Sequence, residues 1–118
     1  MKLRIRGNSI RLRLTQSEVE KIRETGLVEE KTEFPDGQDF IYSISVAEKE
    51  TLSSEFSNGK IKIQISKTIA ENWADSDEVG IYGSHEKIQI FIEKDFKCLT
   101  PRKGEEDTDT FPHPKENC

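Results

Sequence analysis

Ile10-Arg-Leu-Arg-Leu-Thr15-Gln-Ser-Glu18-Val-Glu-Lys-Ile22 is followed, 51 positions later, by Ile61-Lys-Ile-Gln-Ile-Ser66-Lys-Thr-Ile-Ala70-Glu-Asn-Trp73. In each stretch, apolar residues first alternate with polar ones, the period of a half-buried strand, and then recur at helical spacing. A hydroxyl residue, Thr15 or Ser66, stands at the change of period, where its side chain can accept a free amide of the first helical turn. Thr15 and Glu18 also have capping-box spacing. Val28 and Val79 extend the match into the strand that follows. One supersecondary unit is thus used twice.

Upstream, Lys2 to Arg6 alternates in the same way, and Gly7-Asn8-Ser9 supplies turn formers, so residues 2–14 read as a β-hairpin. The helix that follows, over about residues 16–25, has Gly26 as its natural stop. Leu27 to Phe34 and Gln38 to Ala47 read as strands joined at Pro35-Asp36-Gly37. Residues 48–59 lose both periods and read as a connector, with Leu52 and Phe56 at the spacing of a short helical turn. After the second helix, Val79 to Tyr82 and a strand carrying Ile88, Ile90 and Ile92 complete the chain's regular part.

The fold expected is α+β: duplicated β-α-β-β units with two short helices on a mainly antiparallel sheet or partly closed barrel, preceded by an extra N-terminal strand. Short links between strands argue for antiparallel neighbours, since parallel crossovers need a dozen or more residues. Residues 1–97 form a single domain of two pseudo-repeats, about 10–47 and 61–95. Residues 98–118 form an irregular, acidic, Pro-containing tail.

With 118 residues, the chain is long enough for one core without disulfides or metal. Only 32% of residues are apolar and 35% are charged, so that core must be economical. No stretch approaches the roughly 20 apolar residues of a membrane span. The alternating charged start lacks the apolar run of a signal peptide. Both cysteines fall in the last fifth of the chain, which excludes a disulfide framework for the body. These features together point to the cytoplasm and exclude a membrane partner.

The formal charge of −5 is unevenly spread: residues 1–14 hold Lys2, Arg4, Arg6, Arg11 and Arg13 and no acid. With the apolar faces turned inward, these residues, Lys60, Lys62 and Lys87 would share the opposite face. Arg4, Arg6, Arg11, Arg13 and Lys62 are therefore candidate anion-binding residues, for a phosphorylated small molecule. The competing reading is a solvated ladder in which Glu29, Lys31 and Glu33 pair with arginines on neighbouring strands, and exposed mixed-charge faces favour it. Nucleic acid is disfavoured as a partner, because only Phe91 joins the cations as a stacking platform. Phe34, Phe40, Tyr42 and Trp73 read as core.

Cys98, His113 and Cys118 can supply three zinc ligands, with Asp107 or Asp109 as a fourth. Their spacing is poor, and a packed Cys98 with a loosely held tail accounts for them better; a Cys98–Cys118 disulfide is the third reading. No cofactor is otherwise indicated. No catalytic triad, phosphate loop or nucleotide fingerprint is present, so a small binding or interaction protein without catalysis, with a protein as one kind of partner, is the leading expectation. The alternative is a phosphate-ester or polyphosphate-binding protein or enzyme.

Duplicated helix-and-strand units with basic residues along the strands are similar in outline to the triphosphate tunnel enzymes. Their Glu-x-Glu-x-Lys opening is replaced here by Lys2-Leu-Arg4-Ile-Arg6. Residues 1–20, together with Glu93-Lys-Asp-Phe-Lys-Cys-Leu99 and the acidic, Pro-rich end, resemble a family of small uncharacterised bacterial proteins of Bacteroidetes type. That resemblance implies a free-standing cytoplasmic protein and brings no activity or site residue with it. Activity is expected where the repeat symmetry breaks, in the first strand and beyond Phe96.

Overall fold

A computed structural model of the chain describes residues 1–50, 52–96 and 111. The strands and helices run β1 (Lys2–Arg6), β2 (Ser9–Leu14), α1 (Gln16–Thr25), β3 (Leu27–Glu33), β4 (Asp39–Ala47), β5 (Ser53–Ser57), β6 (Lys60–Ser66), α2 (Lys67–Ala74), β7 (Gly80–His85) and β8 (Ile88–Lys94). They form two four-stranded sheets, ordered β1-β2-β8-β7 and β3-β4-β6-β5. The fold is α+β, and among the described residues neither sheet closes into a barrel.

The repeat is fuller than the alternation of apolar residues discloses. Residues 53–57, read from sequence as part of a connector, form β5, because Asn58 and Gly59 both take positive φ and close a tight hairpin. Its register with β6 reproduces that of β1 with β2: Leu3 faces Leu12 and Ser54 faces Ile63, Ile5 faces Ile10 and Phe56 faces Ile61. The first strand therefore has a counterpart. It was hidden because β5 is Ser-Ser-Glu-Phe-Ser, with one large apolar residue where β1 has two.

Each ββαββ half places its first hairpin in one sheet and its second in the other. The hairpins of the two halves meet at a parallel pair in the middle of each sheet, β2 with β8 and β4 with β6. Sequence reasoning missed these pairs because they join strands that are not chain neighbours; the β4–β6 connection, residues 48–59, holds the whole of β5 and the β2–β8 connection is longer still, so the length rule for crossovers is met.

The halves also differ in a way that shifts the repeat. α1 ends at Gly26, which takes φ 78° in the left-handed region, donates its N–H to the Ile22 carbonyl (2.9 Å) and accepts the Val46 N–H (2.9 Å). α2 ends at Asp75, without that conformation, and residues 75–79 link it to β7. Val28 opposite Ile44 is therefore matched by Ile81 opposite Ile92, while Val79 is exposed.

The caps are formed as the sequence requires. The Thr15 N–H donates to the Glu18 carboxylate (2.9 Å), and the Ser66 hydroxyl accepts the Ile69 N–H (3.4 Å). Both helices pack at the same end of the two facing sheets, bringing Val19, Ile22, Ala70 and Trp73 onto Leu12, Leu14, Ile44, Ile63, Ile65, Ile90 and Ile92 in one core. Trp73 is wholly buried and its indole N–H donates to the Val79 carbonyl (3.2 Å). Phe34, by contrast, is exposed at the tip of the β3–β4 hairpin.

Two measurements check this packing. A Cβ at Gly26 would lie 2.8 Å from Val46 Cγ2, on a backbone whose left-handed conformation alone costs about 1–2 kcal/mol for other residues. Gly26→Ala should therefore destabilise by more than that in urea unfolding. Lys94 is buried, donates to the Ser76 carbonyl (2.7 Å) and lies over the Trp73 and Phe111 rings. Burial pushes its amine below 10.5, against the opposing pull of Asp77 and Glu78. Between the lowered folded value and the unfolded one, the unfolded chain holds the extra proton, so stability rises with pH there. The stability of the native protein relative to Lys94→Met should rise as pH approaches 10.5; a flat difference would contradict this.

Candidate functional site

Strand alternation sets the site. Residues 5, 10, 88 and 85 point inward from one sheet, and residues 40, 54, 56 and 61 from the other. Near the helices these inward stripes are dry: Leu12, Leu14, Ile63, Ile65, Ile90 and Ile92 have at most 1% of their surface exposed. The four hairpin turns lie at the opposite end, where no helix covers the gap. There Ile10 and Ile61 remain buried, but Ile5 is 54% exposed and Phe56 67% exposed. Between the sheets at that end is a cleft of about 810 Å³, lined by Ile5, Ile10, Phe40, Phe56, Ile61 and Ile88, with Ser54, Glu55, His85, Glu86 and Lys87 as its polar residues.

One wall is made where the edge strands β5 and β7 approach. Gly83 faces inward, and a Cβ there would lie 2.6 Å from Leu52 Cδ2, so glycine lets Leu52 close the gap. Beyond it, His85 Nδ1 accepts the Ser54 backbone N–H at 3.0 Å, with the Ser54 hydroxyl at 3.3 Å. The imidazole thereby covers an edge amide that would otherwise lack a partner. On the other side of the molecule, the Tyr42 hydroxyl donates to the Met1 carbonyl (3.1 Å). Burial, then Glu30 and Glu18, raise the Tyr42 hydroxyl above its ordinary pKa.

The candidate anion-binding residues lie elsewhere and do not form one group. Arg4, Arg6, Arg11 and Arg13 share the outer face of the β1-β2-β8-β7 sheet, with Arg4 directly opposite Arg11. Lys62 is on the outer face of the other sheet, opposite Glu55. Arg11 Nη1 lies 2.5 Å from the Glu93 carboxylate, Arg13 Nε lies 3.8 Å from it, and the Arg11 guanidinium stacks on Phe91 at 4.6 Å. Tyr82 meets Phe91 edge-on and donates its hydroxyl to Glu93 (3.0 Å). Burial and this carboxylate raise the Tyr82 pKa. Lys2 pairs with Asp95 (3.2 Å).

The acids that hold the cations of this face are thus Glu93 on β8, for Arg11 and Arg13, and Asp95 just after it, for Lys2. Glu29, Lys31 and Glu33 belong to the other sheet, where Glu29 pairs with Lys60 (2.9 Å) and Lys31 with Glu33 (3.4 Å). Arg4 and Arg6 are exposed, with no ion pair among the described residues. A polyphosphate tunnel needs its cations inside a barrel; here they face outward and the interior is apolar.

Cys98, His113 and Cys118, the three candidate zinc ligands, lie outside the described residues. Among those described, no group of three His, Cys, Asp or Glu side chains is placed to hold a metal ion. No helix there is long and apolar enough to cross a membrane.

The cleft was missed in sequence because its apolar lining continues the core stripes and carries no separate motif. The one signal was Phe56, a large apolar residue set among Ser, Glu and Asn.

Comparison with the curated proteins and with the solved structures returned no match. A family model does match, over residues 1–115, and so spans both sheets, the cleft and the arginine face. The chain belongs to this family, the family of unknown function DUF7009.

Proposed function

We propose that this is a binding protein whose cleft between the hairpin ends of the two sheets takes an apolar small molecule. The observation that carries the reading is that the inward stripes are dry at the helix end and stay wet at Ile5 and Phe56. Burying such a side chain is worth about 1.5–3 kcal/mol, which folding leaves ungained here and a bound apolar molecule would recover. A volume of about 810 Å³ suits a drug-sized ligand, and an apolar lining with a few polar groups is the usual make-up of such sites. The bacterial cytoplasm is the compartment we favour, supported by cysteines confined to the last fifth of the chain, which leave the body without a disulfide framework.

A second reading, binding of a phosphorylated anion, rests on Arg4 and Arg6, which are exposed and free of ion pairs among the described residues. Their neighbours Arg11 and Arg13 are already drawn to Glu93, so the site would be narrower than the full row of arginines.

N-phenyl-1-naphthylamine, a neutral dye that brightens in apolar surroundings, tests the first reading. We expect saturable binding in the micromolar range, about −8 kcal/mol. Phe56→Ser should weaken it at least fivefold, with little loss of stability because Phe56 is mostly exposed. Absence of binding would contradict the reading, as would sedimentation showing that a second copy of the chain covers the cleft and that Phe56→Ser separates the copies.

For the second reading, tripolyphosphate at 100 times its dissociation constant should stabilise the native protein by about 2.7 kcal/mol and leave the Arg4→Gln, Arg6→Gln double variant unchanged. Equal shifts in both proteins would exclude these arginines.

A further inference from the structure

We infer that the cleft selects a neutral amphiphile, an apolar body carrying one hydrogen-bond-accepting oxygen such as an ester or ketone carbonyl, and that the His85 Nε2–H recognises that oxygen. The inference rests on the cleft being a ligand site and names the ligand's chemistry.

The tautomer is fixed by geometry. A backbone N–H can only donate, so Nδ1, 3.0 Å from the Ser54 nitrogen, must present its lone pair. In the neutral ring, the proton then sits on Nε2. Nε2 has no hydrogen bond among the described residues, while His85 lines the cleft beside its cross-strand partner Ile88. A donor held in apolar surroundings, with its ring anchored by the other nitrogen, is the arrangement that orients a ligand through one polar contact.

Charge at the rim argues for a neutral ligand. Glu86 stands against Lys87, both exposed at the cleft, and Glu55 lies opposite Lys62 on the outer face, so the rim offers no net positive charge. A carboxylate or phosphate head would give up its hydration there without gaining a counter-ion; an ester or ketone carbonyl has no charge to desolvate.

The test displaces bound N-phenyl-1-naphthylamine with methyl decanoate and with decanoate, which share a chain and differ in head charge. On the native protein, the ester should compete about 3–10-fold better, because the carboxylate must give up its hydration without a counter-ion. His85→Asn places a side-chain oxygen where Nδ1 accepts the Ser54 N–H but does not reach as far as Nε2. It should weaken the ester about 3–10-fold relative to the dye measured on the same variant, the loss expected for one hydrogen bond and one that a purely structural histidine would not produce. Decanoate competing as well as the ester, or His85→Asn leaving the ester's affinity unchanged, would overturn the inference while the cleft reading stands. Failure of the dye to bind would overturn both.

Discussion

The parallel pairing of Ile10, Leu12 and Leu14 on β2 with Ile90, Ile92 and Lys94 on β8 joins the first hairpin of the chain to the last. Its counterpart, β4 with β6, joins the two middle hairpins. Neither half of the chain can bury its apolar stripe alone, because each gives one hairpin to each sheet. The helices follow from this division: a strand that ends in one sheet must reach the other, and α1 and α2 make that crossing at one end. They seal that end with Trp73, Ile22 and Val19.

The cleft follows from the same constraint. Two crossings on one end leave only tight turns at the other, and turns have no apolar face to insert between the sheets. The inward stripes therefore run from a dry core to an open mouth without changing chemistry. Larger hairpin side chains could have filled the gap; instead Gly83 and the polar pair Ser54 and His85 shape one wall. Keeping Phe56 and Ile5 exposed forgoes stabilisation that a chain of this size, with apolar content of 32%, can hardly spare.

Local structure was legible in the sequence wherever one period ran long enough to outvote its neighbours. α1 has the limits and the cap that Thr15, Glu18 and Gly26 imply, and the stripes of β2, β6 and β8 are those of Ile10, Ile61 and Ile90. β5 was lost because its stripe has one large apolar residue, and its hairpin rests on Asn58-Gly59. Pairing between distant strands has no local signature, so the parallel centres, the division into two sheets and the separation of Lys62 from the arginines were not legible. Glu93 as the partner of Arg11 and Arg13 depends on that same pairing. The site depends on it too: Ile5, Phe56 and His85 come from three hairpins that only the sheet order brings together.

The most direct test of the account is a methyl-resolved NMR titration of the isoleucine-labelled protein with a neutral apolar probe. Ile5, Ile10, Ile61 and Ile88 should shift together and saturably, while Ile44, Ile63, Ile90 and Ile92, deeper in the same stripes, should move little. Shifts absent from the hairpin end, or confined to residues away from the cleft, would contradict the claim that the open end of the core is a binding site.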